Sequence, residues 1–123
     1  MSRRKYWLYH GTSTEAAKLI AKQGFEESDK GSYGPGVYFF MSFSKALEFA
    51  EQEHKDRSAV IEAELYVWES NIRTYNLDEA QNLALPRKMP EIELHDISCD
   101  GGVFVLKLSS ESVKSLKIIW PRS

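Results

Sequence analysis

The chain has 123 residues and a formal net charge of −2, with its 16 basic and 18 acidic side chains interspersed. This length fits one domain, residues 1–123, and 42% hydrophobic residues suffice for a core without a metal or a disulfide. The charge balance gives no overall basic footprint for nucleic acid, and no apolar run approaches the ~18 residues of a membrane span. The single cysteine, Cys99, cannot form an internal disulfide, so we expect an intracellular protein, cytoplasmic or nuclear, without a membrane partner.

The first elements in chain order are a short strand and a helix. Residues 6–9 (YWLY) predict a strand that ends at His10 and leads into a turn. Thr12 and Glu15 have the spacing of a capping box, which predicts the start of a helix. Gly24 is the expected C′ residue that closes this helix.

Strands outnumber helices in the rest of the chain. GVYFF, AVIEAELYV, VFVLKL and KSLKIIW predict four further strands, and IELHD is a weaker candidate for another. Helices are predicted after a cap at Ser42 or Ser44 and after Asn76. The pattern indicates an α+β fold, a strongly twisted and mainly antiparallel sheet pair with two or three short helices. The periodic apolar positions predicted to be buried are Leu19, Ile20, Phe25, Val37, Phe39, Ile61, Leu65, Leu106 and Ile118.

Two short stretches indicate a binding site. His10, Gly11 and Thr12 put an imidazole, a bare backbone and a hydroxyl at the end of a strand, where functional groups often lie. Tyr38 lies in GPGVYFF, where alternation places it on the strand face opposite Phe39. A tyrosine in that position can present a flat ring to a planar ligand.

The two stretches together resemble the NAD-binding half of the poly(ADP-ribose) polymerase (PARP) superfamily of diphtheria-toxin-like ADP-ribosyltransferases. The resemblance is tightest over residues 8–50 and rests on YHGT, the helix closed by Gly-Phe, GPGVYF and the pair Phe49-Ala50. The small interferon-induced PARP-like proteins of fish look closer than the large nuclear enzymes. The resemblance implies the ADP-ribosyltransferase fold, with NAD as a substrate.

The resemblance also implies a role for each matching residue. His10 would hydrogen-bond the adenosine ribose of NAD, and Gly11 would clamp the nicotinamide amide through its backbone. Tyr38 and Phe49 would lie on either side of the nicotinamide ring. Two further NAD-binding positions are implied, Thr12 and Ser44.

Two positions depart from the family pattern. The helix serine that usually bonds nicotinamide is replaced by Ala46 in an ungapped match, unless Ser44 substitutes for it. The catalytic glutamate of polymer-forming members falls at Val103, with the register uncertain between Gly102 and Phe104, and none of these is acidic. Asp100 is the nearest preceding acid, and we expect the glycines after it to leave its position loose.

The resemblance and its departures favour an NAD-dependent mono-ADP-ribosyltransferase with a His-Tyr-apolar triad, acting on a protein or a nucleic-acid end. A catalytically silent module that binds NAD, ADP-ribose or a protein partner is the alternative. A third hypothesis is an RNA 2′-phosphotransferase, a family that shares the fold and an HGTS-like turn. The stretch from His95 to Cys99 lacks the spacing of a zinc site, so no metal is predicted. The oligomeric state is open.

Overall fold

A computed structural model describes residues 2–28, 31–82, 92–107 and 112–122 of the chain. The strands are β1 (Arg3–Ser13), β2 (Val37–Phe40), β3 (Ser58–Trp68), β4 (Ile72–Thr74), β5 (Leu94–Ile97), β6 (Val103–Leu106) and β7 (Val113–Trp120). The α-helices are α1 (Thr14–Gln23), α2 (Phe43–His54) and α3 (Leu77–Asn82), and short 3-10 turns span Lys55–Arg57 and Glu69–Asn71. The expected α+β class is confirmed.

All seven strands form one mixed sheet in the order β4-β5-β6-β2-β1-β3-β7. Among the strands of the described residues, only β4 and β5 pair in parallel, and every other neighbouring pair is antiparallel. The sheet has two halves, β4-β5-β6-β2 and β1-β3-β7, which are joined through the single residue pair Tyr9 and Phe40. The expected sheet pair therefore takes the form of two half-sheets that meet at one point.

Strand β1 is longer than the sequence predicts. It continues past His10 to Ser13, and each of its eleven residues pairs with β3, from Arg3 with Trp68 to Ser13 with Ser58. The expected turn at His10 was wrong because the long β3 supplies a hydrogen-bonding partner for every residue of β1.

The first helix begins one residue later than predicted. The Oγ of Ser13, rather than that of Thr12, caps α1 by accepting from the backbone N–H of Ala16 at 3.1 Å. Ser13 is the last residue of β1 and directly precedes α1, whereas Thr12 lies one residue earlier in the strand. The C-terminal prediction is confirmed, because Gly24 has φ +86° and its N–H donates to the carbonyl of Ile20.

The caps of the other two helices follow their predicted signals. Ser42 caps α2 by accepting from the N–H of Lys45 at 3.2 Å, which decides between the two candidate serines. Asn76 and Glu79 form a reciprocal capping box at the start of α3, with distances of 2.9 and 3.0 Å. Pro86, expected to end this region, lies outside the described residues.

The core consists of two clusters on opposite faces of the sheet. The larger one, here called the inner cluster, includes Phe25, Val37, Phe39 and Ile61. The smaller one, the outer cluster, is built on Tyr75, Ala80, Ile97 and Val105, with Tyr33, Tyr38 and Val103 packed against it. Because Val37 and Phe39 face the inner cluster and Tyr38 the outer one, β2 separates the two.

Most of the predicted core is confirmed, with two exceptions. Phe25, Val37, Phe39, Ile61, Leu65 and Leu106 are buried, and Ile20 is partly buried against the inner cluster. Leu19 is 56% exposed because α1 turns Ala17 and Ile20 to the core instead. Ile118 is 38% exposed because β7 is the last strand of the sheet.

Comparing buried Ile61 with the exception Leu19 gives a direct test of the core. Ile61→Ala should lower the free energy of unfolding by about 2–5 kcal/mol, because it leaves a cavity in the inner cluster. Leu19→Ala should change it by no more than about 0.5 kcal/mol, because the side chain stays largely in water. Urea denaturation measures both, and comparable losses in the two variants would place Leu19 in the core.

A buried histidine is the least expected polar residue of the fold. His95 is fully buried in β5, where its Nδ1 lies 2.7 Å from the hydroxyl oxygen of Tyr75. Its Nε2 has no hydrogen-bonding partner within the described part of the chain. Burial, followed by the positive charges of Lys107 and Arg73, lowers the pKa of His95 to about 4.

This lowered pKa should make the fold sensitive to acid. An unfolded histidine protonates near pH 6.5, so between pH 6.5 and 4 the unfolded chain takes up a proton that folded His95 refuses. The free energy of unfolding should therefore decrease by up to about 3 kcal/mol as the pH falls from 6.5 to 4. Urea titrations at several pH values, compared with His95→Gln, measure this. An unchanged pH slope in the variant would contradict it.

Candidate functional site

The candidate site lies where the two half-sheets meet. His10 follows the joining residue Tyr9 in β1, and its Nδ1 lies 2.7 Å from the backbone oxygen of Tyr38. The imidazole packs edge-on against two rings of the inner cluster. Its centroid lies 5.2 Å from that of the Phe25 ring and 5.8 Å from that of the Phe39 ring. A side-chain hydrogen bond thus reinforces a junction that has only one backbone pair.

The hydrogen bond also fixes the tautomer of the imidazole. A carbonyl oxygen only accepts, so Nδ1 carries the proton and donates it to Tyr38. Burial lowers the pKa of His10, with the bond to the Tyr38 carbonyl opposing this effect, so the ring is neutral at pH 7. The remaining nitrogen, Nε2, is then a hydrogen-bond acceptor suited to a hydroxyl group.

The side chain of Tyr38 is held by the loop that precedes its strand. Its hydroxyl donates to the carbonyl of Gly34 at 2.6 Å and accepts from the backbone N–H of Tyr33 at 2.8 Å. Gly31 lies directly on the ring, so that an added Cβ there would overlap the phenol carbons. Burial raises the pKa of Tyr38. The ring is therefore fixed in place and covered in part by its own loop.

The missing side chain of Gly11 has a packing reason in this fold. A Cβ at this position would overlap the carbonyl oxygen of Ala46 and lie 3.3 Å from the Cβ of Ala50. Helix α2 therefore lies directly on β1, with both alanines fully buried. This contact requires a glycine whether or not a ligand binds.

Helix α2 brings one predicted site residue near Tyr38 and leaves another at the surface. The ring of Phe49 packs on that of Phe40, with 5.7 Å between the ring centroids. Phe40 lies on the same face of β2 as Tyr38. Ser44 is exposed, and its hydroxyl lies 3.4 Å from that of Ser42. The residue of α2 next to Gly11 is Ala46 rather than a serine. Thr12 is half-buried in β1 beside Ala59 of β3.

Strand pairing distinguishes the three candidates for the third triad position. Val103 pairs with Phe40 and belongs to the outer cluster, as Tyr38 does. Phe104 pairs with Phe39 and faces the inner cluster, and Gly102 lies in the turn before β6. The residue directly opposite Tyr38 is Val105, which the sequence does not single out. Neither valine can supply a carboxylate.

Asp100 is not loosely placed, so that expectation was wrong. The hydroxyl of Tyr33 donates to its carboxylate, and its backbone N–H donates to the carbonyl of Ile97 at 3.0 Å. Tyr33 is the site residue that sequence reasoning missed. Its one signal is an aromatic residue within the glycine-rich stretch GSYGPG.

Two other site classes find no support in the described part of the chain. No group of three or more His, Cys, Asp or Glu side chains converges there as metal ligands would, and Cys99 is exposed. Within the same residues, no helix has the length and apolar character needed to cross a bilayer.

Residues 1–89 match the family model described as the poly(ADP-ribose) polymerase catalytic domain. The matched range includes His10, Tyr38 and Phe49, whereas β5, β6 and β7 lie beyond it. No curated protein and no solved structure matches the chain significantly. Because the matched range covers more than half of the 123 residues, the chain belongs to the family of the PARP catalytic domain.

Proposed function

We propose that the chain is an NAD-dependent mono-ADP-ribosyltransferase with a His10-Tyr38-apolar triad. The observation that carries this proposal is the hydrogen bond from His10 Nδ1 to the backbone of Tyr38 at the junction of the half-sheets. It connects the two family motifs and leaves Nε2 free to accept a ribose hydroxyl. NAD is the substrate, and the acceptor is a protein side chain or a nucleic-acid end.

The proposed donor complex spans the junction. His10 contacts the adenosine ribose, and Gly11 and Thr12 line the path of the dinucleotide along β1. Tyr38 and Phe49 flank the nicotinamide ring. The His10 ring faces the inner cluster and the Tyr38 ring faces the outer one, so a ligand that contacts both would have to pass between β1 and β2 beyond the pair of Tyr9 and Phe40. An extended dinucleotide fits this requirement better than a mononucleotide.

The chemistry of transfer needs little from the protein beyond orientation. The acceptor nucleophile forms a bond to C1′ of the nicotinamide ribose, and the bond from C1′ to the pyridinium nitrogen breaks. Nicotinamide leaves with that electron pair as a neutral molecule. Holding the donor so that this bond is exposed to the acceptor lowers the entropic part of the barrier.

Chain elongation is a harder reaction that this chain is poorly equipped to perform. A ribose hydroxyl of an attached ADP-ribose is a weak nucleophile and needs a base or a positioned carboxylate. Val103 and Val105 offer none, and the carboxylate of Asp100 is already engaged by Tyr33. Transfer should therefore stop after one unit.

A silent binding module is the second candidate, and one observation favours it. The backbone at Gly31 covers part of the Tyr38 ring, which is the surface that a nicotinamide would use. A chain that keeps this arrangement would recognise ADP-ribose or a protein partner without transferring anything. The RNA 2′-phosphotransferase reading receives no comparable support, because the family match is to the polymerase catalytic domain.

NAD binding should depend on both motifs. His10→Asn keeps a donor for the Tyr38 carbonyl but loses the Nε2 acceptor, and Tyr38→Ala removes the stacking surface. We expect each variant to weaken NAD binding about tenfold or more, a loss comparable with one good hydrogen bond or ring contact. Calorimetry measures the affinity, and thermal unfolding without ligand checks that each variant folds.

The exposed variant Leu19→Ala is the matched control and should bind NAD as the wild type does. Wild-type protein at a hundredfold excess of NAD over Kd should gain about 2.7 kcal/mol of stability. No stabilisation at millimolar NAD would contradict the transferase proposal and favour the partner-binding module.

The number of ADP-ribose units on each modified site distinguishes a mono-ADP-ribosyltransferase from a polymer-forming enzyme. Purified protein with labelled NAD and cell extract should give single ADP-ribose units on each modified site, because Val103 and Val105 carry no carboxylate and that of Asp100 is engaged by Tyr33. Gel electrophoresis after digestion of the acceptor shows the length, and Tyr38→Ala serves as the inactive control. A ladder of long polymers would refute the single-unit product.

A further inference from the structure

We propose that Asp100 is a positioning residue for the candidate nicotinamide-stacking tyrosine, acting through Tyr33 on the hydroxyl of Tyr38. Its carboxylate holds the side chain of Tyr33, and the backbone of Tyr33 holds Tyr38. The effect of Asp100 on NAD affinity rests on the proposed function, whereas its effect on the position of the loop that carries Tyr33 does not. It gives Asp100 a role other than contact with substrate.

The turn between β5 and β6 places the carboxylate. Within residues 97–102, the N–H of Asp100 donates to the carbonyl of Ile97 and that of Gly102 donates to the carbonyl of Ser98. Gly101 and Gly102 have φ values of +78° and +77°, which only glycine adopts readily. The carbonyl of Gly102 also accepts from the N–H of Met41 at 3.0 Å, which ties the turn to the end of β2. Asp100 is therefore fixed relative to the strand that carries Tyr38.

The link from Asp100 to Tyr33 is a charge-assisted hydrogen bond. The phenol of Tyr33 donates to Oδ2 of Asp100 in a partly buried setting. Burial, followed by the hydrogen bond and charge of Asp100, raises the pKa of Tyr33 to about 12. Tyr33 thus stays protonated and able to donate throughout the physiological range. Bonds between a neutral donor and a carboxylate are stronger than those between two neutral groups.

The link from Tyr33 to Tyr38 runs through the backbone. The N–H of Tyr33 donates to the hydroxyl oxygen of Tyr38 at 2.8 Å, and that hydroxyl donates to the neighbouring carbonyl of Gly34. Movement of Tyr33 would therefore disturb both hydrogen bonds of Tyr38. Within the segment the N–H of Gly34 also donates to the carbonyl of Gly31 at 3.1 Å, and two backbone bonds join Ser28 and Gly36 at its ends.

This chain of hydrogen bonds predicts that Tyr33 and Asp100 act together on the position of Tyr38. Tyr33→Phe and Asp100→Ala each remove the same hydrogen bond while leaving His10, Tyr38 and Phe49 unchanged. In either variant, hydrogen exchange at the Tyr33 amide should accelerate about tenfold or more, as expected when a charge-assisted bond restrains the loop. The double variant should show the same acceleration as each single one.

NAD affinity supplies the second readout. Each single variant should raise the Kd for NAD about tenfold, and the double variant should raise it no further. Asp78→Ala, which removes an exposed carboxylate from α3, should leave both the exchange rate and the Kd unchanged. Thermal unfolding confirms that all four variants are folded.

The outcomes separate positioning from direct contact. Weaker NAD binding in Asp100→Ala with unchanged Tyr33 exchange would mean that the carboxylate touches the ligand, which overturns the proposal. Additive effects in the double variant, or faster exchange without any change in NAD affinity, would also overturn it. A wild-type chain that binds no NAD refutes the proposed function alone, and amide exchange then decides whether Asp100 positions the loop.

Discussion

The single residue pair that joins β2 to β1 is the constraint on which the rest of the structure depends. Every other neighbouring pair of strands is held by three or more residue pairs, whereas Tyr9 and Phe40 alone connect the two half-sheets. His10 partly compensates with its bond to Tyr38, so the residue that follows the junction pair also stabilises the junction. The imidazole that stabilises this junction is thus also the group proposed to bind ribose.

The close approach of α2 to β1 follows from the same geometry. Beyond the junction, β1 has no β2 partner, and α2 covers it through Ala46 and Ala50 against Gly11. The small side chains on both surfaces allow this contact. A serine at position 46 would have to occupy the same close contact with its larger side chain. Gly11 thus serves packing first, and any role of its backbone in holding nicotinamide comes in addition.

Features governed by neighbouring residues were predictable from the sequence. Gly24 and the Asn76–Glu79 box ended and began helices as local rules require, because their hydrogen bonds join residues three or four positions apart. The errors concern distant partners. Ser13 caps α1 because pairing with β3 extends β1 as far as that residue, and the last pair, Ser13 with Ser58, spans 45 positions. The bond between Tyr33 and Asp100 likewise joins residues 67 positions apart, and no local pattern indicates it.

The third triad position shows how the fold constrains chemistry beyond the range of the family match. Residues of β6 alternate between the clusters, so only Val103 and Val105 share the face of Tyr38. A carboxylate at either position would be desolvated among apolar side chains unless a ligand hydroxyl or a cation met it. Val105 is fully buried, so an apolar residue there stabilises the outer cluster that supports Tyr38. The apolar residues on this strand and the ordered tyrosine are thus parts of one packed arrangement, and under the proposed function this arrangement would orient the donor without activating a second nucleophile.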